Sequence, residues 1–287
     1  VGIGYAMGAS SLVLFTLVAV GAAANVSGGA GGPLAVLIIA VLSCECGMLV
    51  SKKTKVDIIV TPLVTIAAGV FFTLLFASHI GKAAYSFGNL IMWATTLKPF
   101  LMGILISVIV GILLTLPVSS AAVCAALGLT GLAGGAAVAG CCAQMVGFAV
   151  MSFKENSWSG ILSQGLGTSM LQMPNIVKNP RIWIPPTLAS VITGPIATCV
   201  FKMQMNGAAV SSGMGTCGLV GQIGIITGWF EPSQAAVAHG AVAVLPGIFD
   251  WLGLALVCFV LPAIFSVLFC SILRKIGWIK DGDLLLQ

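Results

Sequence analysis

Four side chains that can hydrogen-bond but carry no charge stand close together: Thr168, Ser169, Gln172 and Asn175, in the stretch GLGTSMLQMPNIVKNPRIWIPPTLA from Gly165 to Ala189. A hydroxyl donates and accepts, and a carboxamide offers two donors and an acceptor, so the set suits holding a small polar solute. Thr168 and Ser169 follow two glycines, where a half-helix can begin. A hydroxyl there either caps free amides or shares them with a ligand. Gln144 and Gln222 lie in apolar helical text, facing a pore or bonding another helix. Asn206 and Ser211 stand in a second glycine-rich break. These eight residues are the substrate-binding candidates, with Ser119, Ser120 and Ser212 as weaker ones.

Residues suited to covalent or metal chemistry are sparse. The sequence holds no defensible Ser-His-Asp order, no H-E-x-x-H and no P-loop, so the chain alone is not expected to be an enzyme and implies no cofactor. Nine cysteines sit in apolar text without a C-x-x-C pair, which fits small buried side chains better than a metal site. Glu45, inside an apolar run, is expected to pair with nearby lysines. Asp250, between Phe249 and Trp251, marks a turn between two spans. His239 reads as structural, and His79 sits at a span end.

The elements that must position the polar groups follow from composition. A chain 59% hydrophobic and 7% charged, with a mean hydropathy of +1.15, has several runs long enough to cross a hydrocarbon core at about 20 residues each. It is an all-α, polytopic membrane protein with about 8–10 spanning or re-entrant segments. Pro174, Pro180, Pro185 and Pro186 forbid a regular helix through the central stretch. A backbone broken at membrane depth must be satisfied by protein or line a cavity, so broken or re-entrant hairpins are expected at mid-membrane.

In order, spans are read at 8–24, 34–50, 57–78 (interrupted by Pro62), 99–116, 182–201 and 251–272. Residues 83–96, with Tyr85 and Trp93, read as a helix lying at the headgroups. Residues 121–153 read as a glycine-broken piece around GLTGLAG leading into a helix, and 206–228 breaks again through its glycines. GLGTS at 165–169 is echoed by GMGTC at 213–217, a pairing typical of a midplane site. Lys52, Lys53 and Lys55, and the tail's Arg274, Lys275 and Lys280, place the 51–55 loop and the C-terminus in the cytoplasm. The net charge of +5 is spread over loops, which argues against nucleic acid and fits contact with lipid headgroups. Val1 opens the sequence without a signal-like segment, so a trimmed start is expected.

The central stretch resembles the glutamate-containing hairpin of enzyme IIC, the membrane subunit of the sugar phosphotransferase system, whose text runs G-I-x-E-P-x-x-F-G-x-P-I-V-x-N-P and then an Ile-Pro span. Ile176, Val177, Asn179 and Pro180 match its I-V-x-N-P part, and Ile184, Pro185 and Pro186 the span that follows. On that register Thr168 stands where the sugar-binding glutamate is expected. More of the chain, including SKKTKVDIIVTPLVT and MGTCGLVGQIG, resembles the enzyme IIC-like family of the perfringolysin O regulator type, which lacks that acid.

The resemblance implies a homodimer and a single transport domain over 1–287. Residues 1–118 would be the scaffold and dimerisation half. Residues 119–287 would be the substrate half, with broken segments near 119–140, 160–181 and 206–229. The expected activity is that of a permease for a small polar, sugar-like solute in the bacterial inner membrane, with or without phosphorylation coupling through separate IIB and IIA partner proteins. The alternative is a membrane sensor or regulator that retains the fold.

Overall fold

The computed structural model describes residues 1–54 and 56–286, without the side chains of Ala30, Ala84, Tyr85 and Phe87. Lys55 of the expected lysine loop and the Tyr85 ring expected at the headgroups therefore lie outside the described residues. The described chain is helical, its one β feature being a bridge between Gly131 and Met205. In order the α-helices are α1 Gly2–Ala6, α2 Ser11–Gly28, α3 Gly32–Val50, α4 Asp57–Phe72, α5 Ser78–Thr95, α6 Pro99–Thr115, α7 Ser120–Ala126 and α8 Gly131–Met151. They continue as α9 Phe153–Leu162, α10 Met173–Lys178, α11 Ile184–Pro195, α12 Val220–Phe230, α13 Gln234–Ala238, α14 Ile248–Ala255 and α15 Leu261–Lys275. Six helical runs are long and apolar enough to cross a membrane, and two shorter apolar helices, Pro99–Thr115 and Cys217–Phe230, accompany them. The architecture is that of an all-α polytopic membrane protein.

The chain separates into two compact units, one of Val1–Ser86 with Pro117–Ser119, the other of Phe87–Leu116 with Ser120–Gln287. In the first, α2, α3 and α4 pack around Val13, Leu17, Val20, Ala35, Ile39 and Cys44. Gly69 admits the Val20 side chain, and Gly47 admits Thr65 and Val13, so small residues bring these helices close. That packing carries α4 straight through Pro62, in its second turn, where one lost amide is tolerated. The break expected there is absent. Asp57 Oδ1 accepts from the Lys52 amide at 2.7 Å and from Thr61 Oγ1 at 2.6 Å, fixing the start of α4. The first span runs to Gly28, beyond the expected end at residue 24, and stops where Gly29 turns to φ +53°. Glu45 is exposed, and both ion pairs among the described residues belong to Arg274, so Glu45 is not paired with Lys52 or Lys53; Lys55 lies outside the described residues. The expected headgroup helix begins earlier, at Ser78, because a π turn over Thr73–Ala77 keeps residues 57–95 helical throughout.

The second unit is built on α8, which at 21 residues is about 31 Å long and buried over nearly its whole length. Its sequence, GLAGGAAVAGCCAQMVGFAVM, explains why: at Gly140 any Cβ would lie 1.9 Å from the Ser107 carbonyl of α6. Gly103 and Gly194 likewise let α6 and α11 meet backbone to backbone. Close approach through small residues gives α6, α8 and α11 extensive dispersion contact without large side chains. Cys141, Cys142 and Cys258 fill small gaps in this core.

Candidate functional site

The broken text predicted at 165–189 is broken as far as Trp183. After α9 the chain makes a π turn over Ser163–Gly167, a 3₁₀ turn over Ser169–Gln172, the short α10, and a second 3₁₀ turn over Pro180–Trp183. Helix resumes at Ile184 because Pro185 and Pro186 fall in its first turn, where a missing amide costs no helical bond. Thr168 is extended (φ −160°, ψ 142°) and half-buried, and its Oγ1 accepts from the Met170 amide at 3.1 Å. With Met170, Leu171, Pro174 and Asn175 it lines a cavity of about 330 Å³. No carboxylate lines that cavity.

Ser169 and Gln144 belong to one buried network. Thr115 Oγ1 lies 2.9 Å from Ser169 Oγ and donates to Gln144 Oε1 at 3.4 Å. Gln144 Oε1 also accepts from Trp183 Nε1 at 3.1 Å, and its Nε2 donates to Thr187 Oγ1 at 3.2 Å. The glutamine thus ties α6 and α8 to the start of α11 through its hydrogen bonds.

Gln172 and Asn175 belong to a second network, closed by the C-terminal tail. Gln172 Nε2 donates to Gln164 Oε1 at 2.8 Å and to the Leu284 carbonyl at 3.0 Å. Asn175 Nδ2 donates to Gln172 Oε1 and to the Leu285 carbonyl, each at 2.9 Å. Asn156 Nδ2 reaches the Leu284 carbonyl at 2.7 Å, and its Oδ1 accepts from the Leu286 amide. Asn179 Nδ2 holds the Trp278 carbonyl and Asp283 Oδ2, while Arg181 stacks over the Trp278 ring. Arg274 pairs with Glu155 and Asp281. The tail over residues 276–286 is therefore strapped onto the stretch 153–181, its Ile279 and Leu284 buried against Phe148, Met151, Ile176 and Ile182. Gln164, fully buried between Ser152 and Gln172, is the residue the sequence reading missed. It is a glutamine in apolar text like Gln144 and Gln222, and the same argument would have found it.

Asn206, Ser211 and Gln222 lie around α12, apart from these networks. Ser211 packs against Gly224, and Gln222 Nε2 donates to Cys142 Sγ at 3.2 Å while its Oε1 is buried without a partner. Asn206 is buried and lines two cavities. Thr216 Oγ1 donates to the Gly165 carbonyl, so the echoed segments at 165–169 and 213–217 do meet. Asp250 caps α14, its Oδ2 accepting the Gly247 amide at 2.8 Å.

The arrangement is one of neutral hydroxyls and amides held by tightly packed, interrupted helices, suited to binding and passage of a polar solute. A family model for the phosphotransferase system, EIIC, matches residues 1–286. No curated protein and no solved structure matches the chain. With its match running nearly the whole length, the chain belongs to the type 2 EIIC family of the phosphotransferase system, the membrane component that carries sugar across.

Proposed function

We propose that this chain is a permease that moves a small, uncharged, sugar-like solute across the bacterial inner membrane as a homodimer, without coupling to phosphorylation by a IIB partner. The observation that carries this reading is the cavity at Thr168, whose lining has a hydroxyl and an amide and no carboxylate. In enzyme IIC the hairpin glutamate is an anionic acceptor for sugar hydroxyls. Replacing such a charge-assisted hydrogen bond by a neutral one forfeits roughly 1 to 2 kcal/mol, about one order of magnitude in affinity. A site without that acid holds solute more weakly and releases it unmodified more readily. Thr168 and Asn175 contact the solute in this reading. Ser169, Gln144 and Gln172 position them, and Asn206, Ser211 and Gln222 belong to the second broken segment of the path. Residues 119–287 carry the site, and residues 1–118 serve as scaffold and dimer contact.

A second reading, a sensor that binds without turnover, is favoured by one observation: the Gln172 and Asn175 amides are taken by tail carbonyls. Thr168→Val tests the main reading. In purified full chain it should weaken binding of the transported sugar up to about tenfold, the effect of one lost hydrogen bond. Wild-type affinity in that variant would remove Thr168 from the site.

A further inference from the structure

Where α8 ends, a groove separate from the Thr168 cavity lies between α8, α9 and α15. Its volume is about 490 Å³, and its apolar walls are formed by Val150, Met151, Phe153, Trp158, Ile161 and Val267. The chain bends into this wall at Ser157, whose φ of +52° and ψ of −152° interrupt α9. A non-glycine residue keeps such a conformation only where its surroundings impose it. Beyond the bend Trp158 meets Phe153 edge to face, with the ring centres 5.5 Å apart, and stays 70% exposed. An exposed tryptophan on an apolar wall, at the end of a membrane-crossing helix, stands at headgroup level.

The groove also has polar members, Lys154, Ser271 and Arg274. Arg274 is held by Glu155 and Asp281, and the neighbouring Asn156 is bonded to the tail at Leu284 and Leu286. These contacts fix the turn that carries Lys154. Lys154 itself is exposed and has no carboxylate partner among the described residues. Ser271, also exposed, stands about one helical turn before Arg274 on α15. The groove therefore joins an apolar wall to a cation whose charge is unanswered. The positive-inside rule places this end of α8 at the cytoplasmic leaflet, where anionic lipids give the surface its negative potential.

We infer that this groove binds a phospholipid with an anionic phosphodiester head, one acyl chain lying against Val150, Ile161 and Val267 and the phosphate against the Lys154 ammonium. The Ser271 hydroxyl supplies a donor for a phosphate or ester oxygen. Both halves of the site are needed to define the occupant. A soluble anion gains nothing from the apolar wall, and a lipid without net charge gains less from Lys154. The site uses none of the residues assigned to solute and does not depend on how the Thr168 cavity is used.

The test uses the full chain in phosphatidylcholine vesicles, with dibrominated phosphatidylglycerol or dibrominated phosphatidylcholine added as a fluorescence quencher. The emission lost in Trp158→Phe isolates the Trp158 signal. Phosphatidylglycerol should quench it at a mole fraction about fivefold lower than phosphatidylcholine, the preference given by one lysine near the surface. Lys154→Gln should abolish that preference with the melting temperature unchanged, whereas Lys275→Gln, outside the groove, should keep most of it. Soluble glycerol phosphate should not relieve the quenching. Equal quenching by the two lipids, an equal loss of preference in the two lysine variants, relief by glycerol phosphate (a soluble-anion site), or a Trp158 that neither lipid reaches (a groove covered by protein) would each overturn the assignment.

Discussion

Two polar regions at opposite ends of α8 differ in what their amides do. At the C-terminal end, Gln172, Asn175 and Asn156 spend their donors on one another, on Gln164 and on the carbonyls of Leu284 and Leu285. At the N-terminal end, Asn206 keeps an acceptor that no described group uses. Side chains of one chemical kind are paired throughout in one place and leave an oxygen buried and unpaired in the other. Residue type alone did not separate them; the partner 100 residues away did. A buried carboxamide in a membrane protein is a candidate for solute contact only after its hydrogen bonds have been traced.

The largest effect should come from the packing that underlies both regions. Gly140→Leu places a side chain where the Ser107 carbonyl lies, so α6 and α8 must separate, and a loss of about 3 kcal/mol or more, or failure to fold, is expected in detergent thermal unfolding. Gly167→Ala meets no atom within 4 Å and should leave the melting temperature where it is. The next effect separates the two ends directly. Gln172→Leu strands the buried Gln164 Oε1 and removes one of the two donors to the Leu284 carbonyl, and should cost about 1–3 kcal/mol. Asn206→Leu removes an acceptor already unpaired and one bond to the exposed Gln204 side chain, which water can replace, so its cost should be well below that of Gln172→Leu. Equal costs for the two would erase the distinction between the regions.

A smaller signal concerns sidedness. Lys154 follows α8, and Arg274, Lys275 and Lys280 are brought to the same end of that helix by the Arg274–Glu155 pair, an end that the positive-inside rule assigns to the cytoplasm. A membrane-impermeant thiol reagent applied to intact cells should label a cysteine introduced at position 239 and spare one introduced at position 280. Labelling of position 280 alone would invert the orientation.

Much of the architecture was legible because it rests on local rules. The glycines of GLTGLAG marked the gap between α7 and α8, and the prolines of 165–189 marked the interrupted backbone. The lost break at Pro62 and the earlier start of α5 were not legible, since packing within the first unit overrides a single missing amide. The tail strap was hidden for another reason. Asn156, Gln172 and Asn175 grip main-chain carbonyls of Leu284 and Leu285, and a main-chain carbonyl has no signature in the sequence. Of the candidate residues, Thr168, Asn175 and Asn206 line cavities, whereas Gln144, Ser169 and Gln172 are committed to packing networks.

The central claim is that a neutral solute crosses without being phosphorylated. It is tested most directly in proteoliposomes that contain this chain as their only protein, loaded with unlabelled glucose or mannitol and given labelled sugar outside. The account predicts counterflow with no phosphoenolpyruvate and no IIB protein, and recovery of the label from the lumen as unmodified sugar. Uptake that appears only after phosphorylated IIB is added, with the label recovered as sugar phosphate, would contradict it.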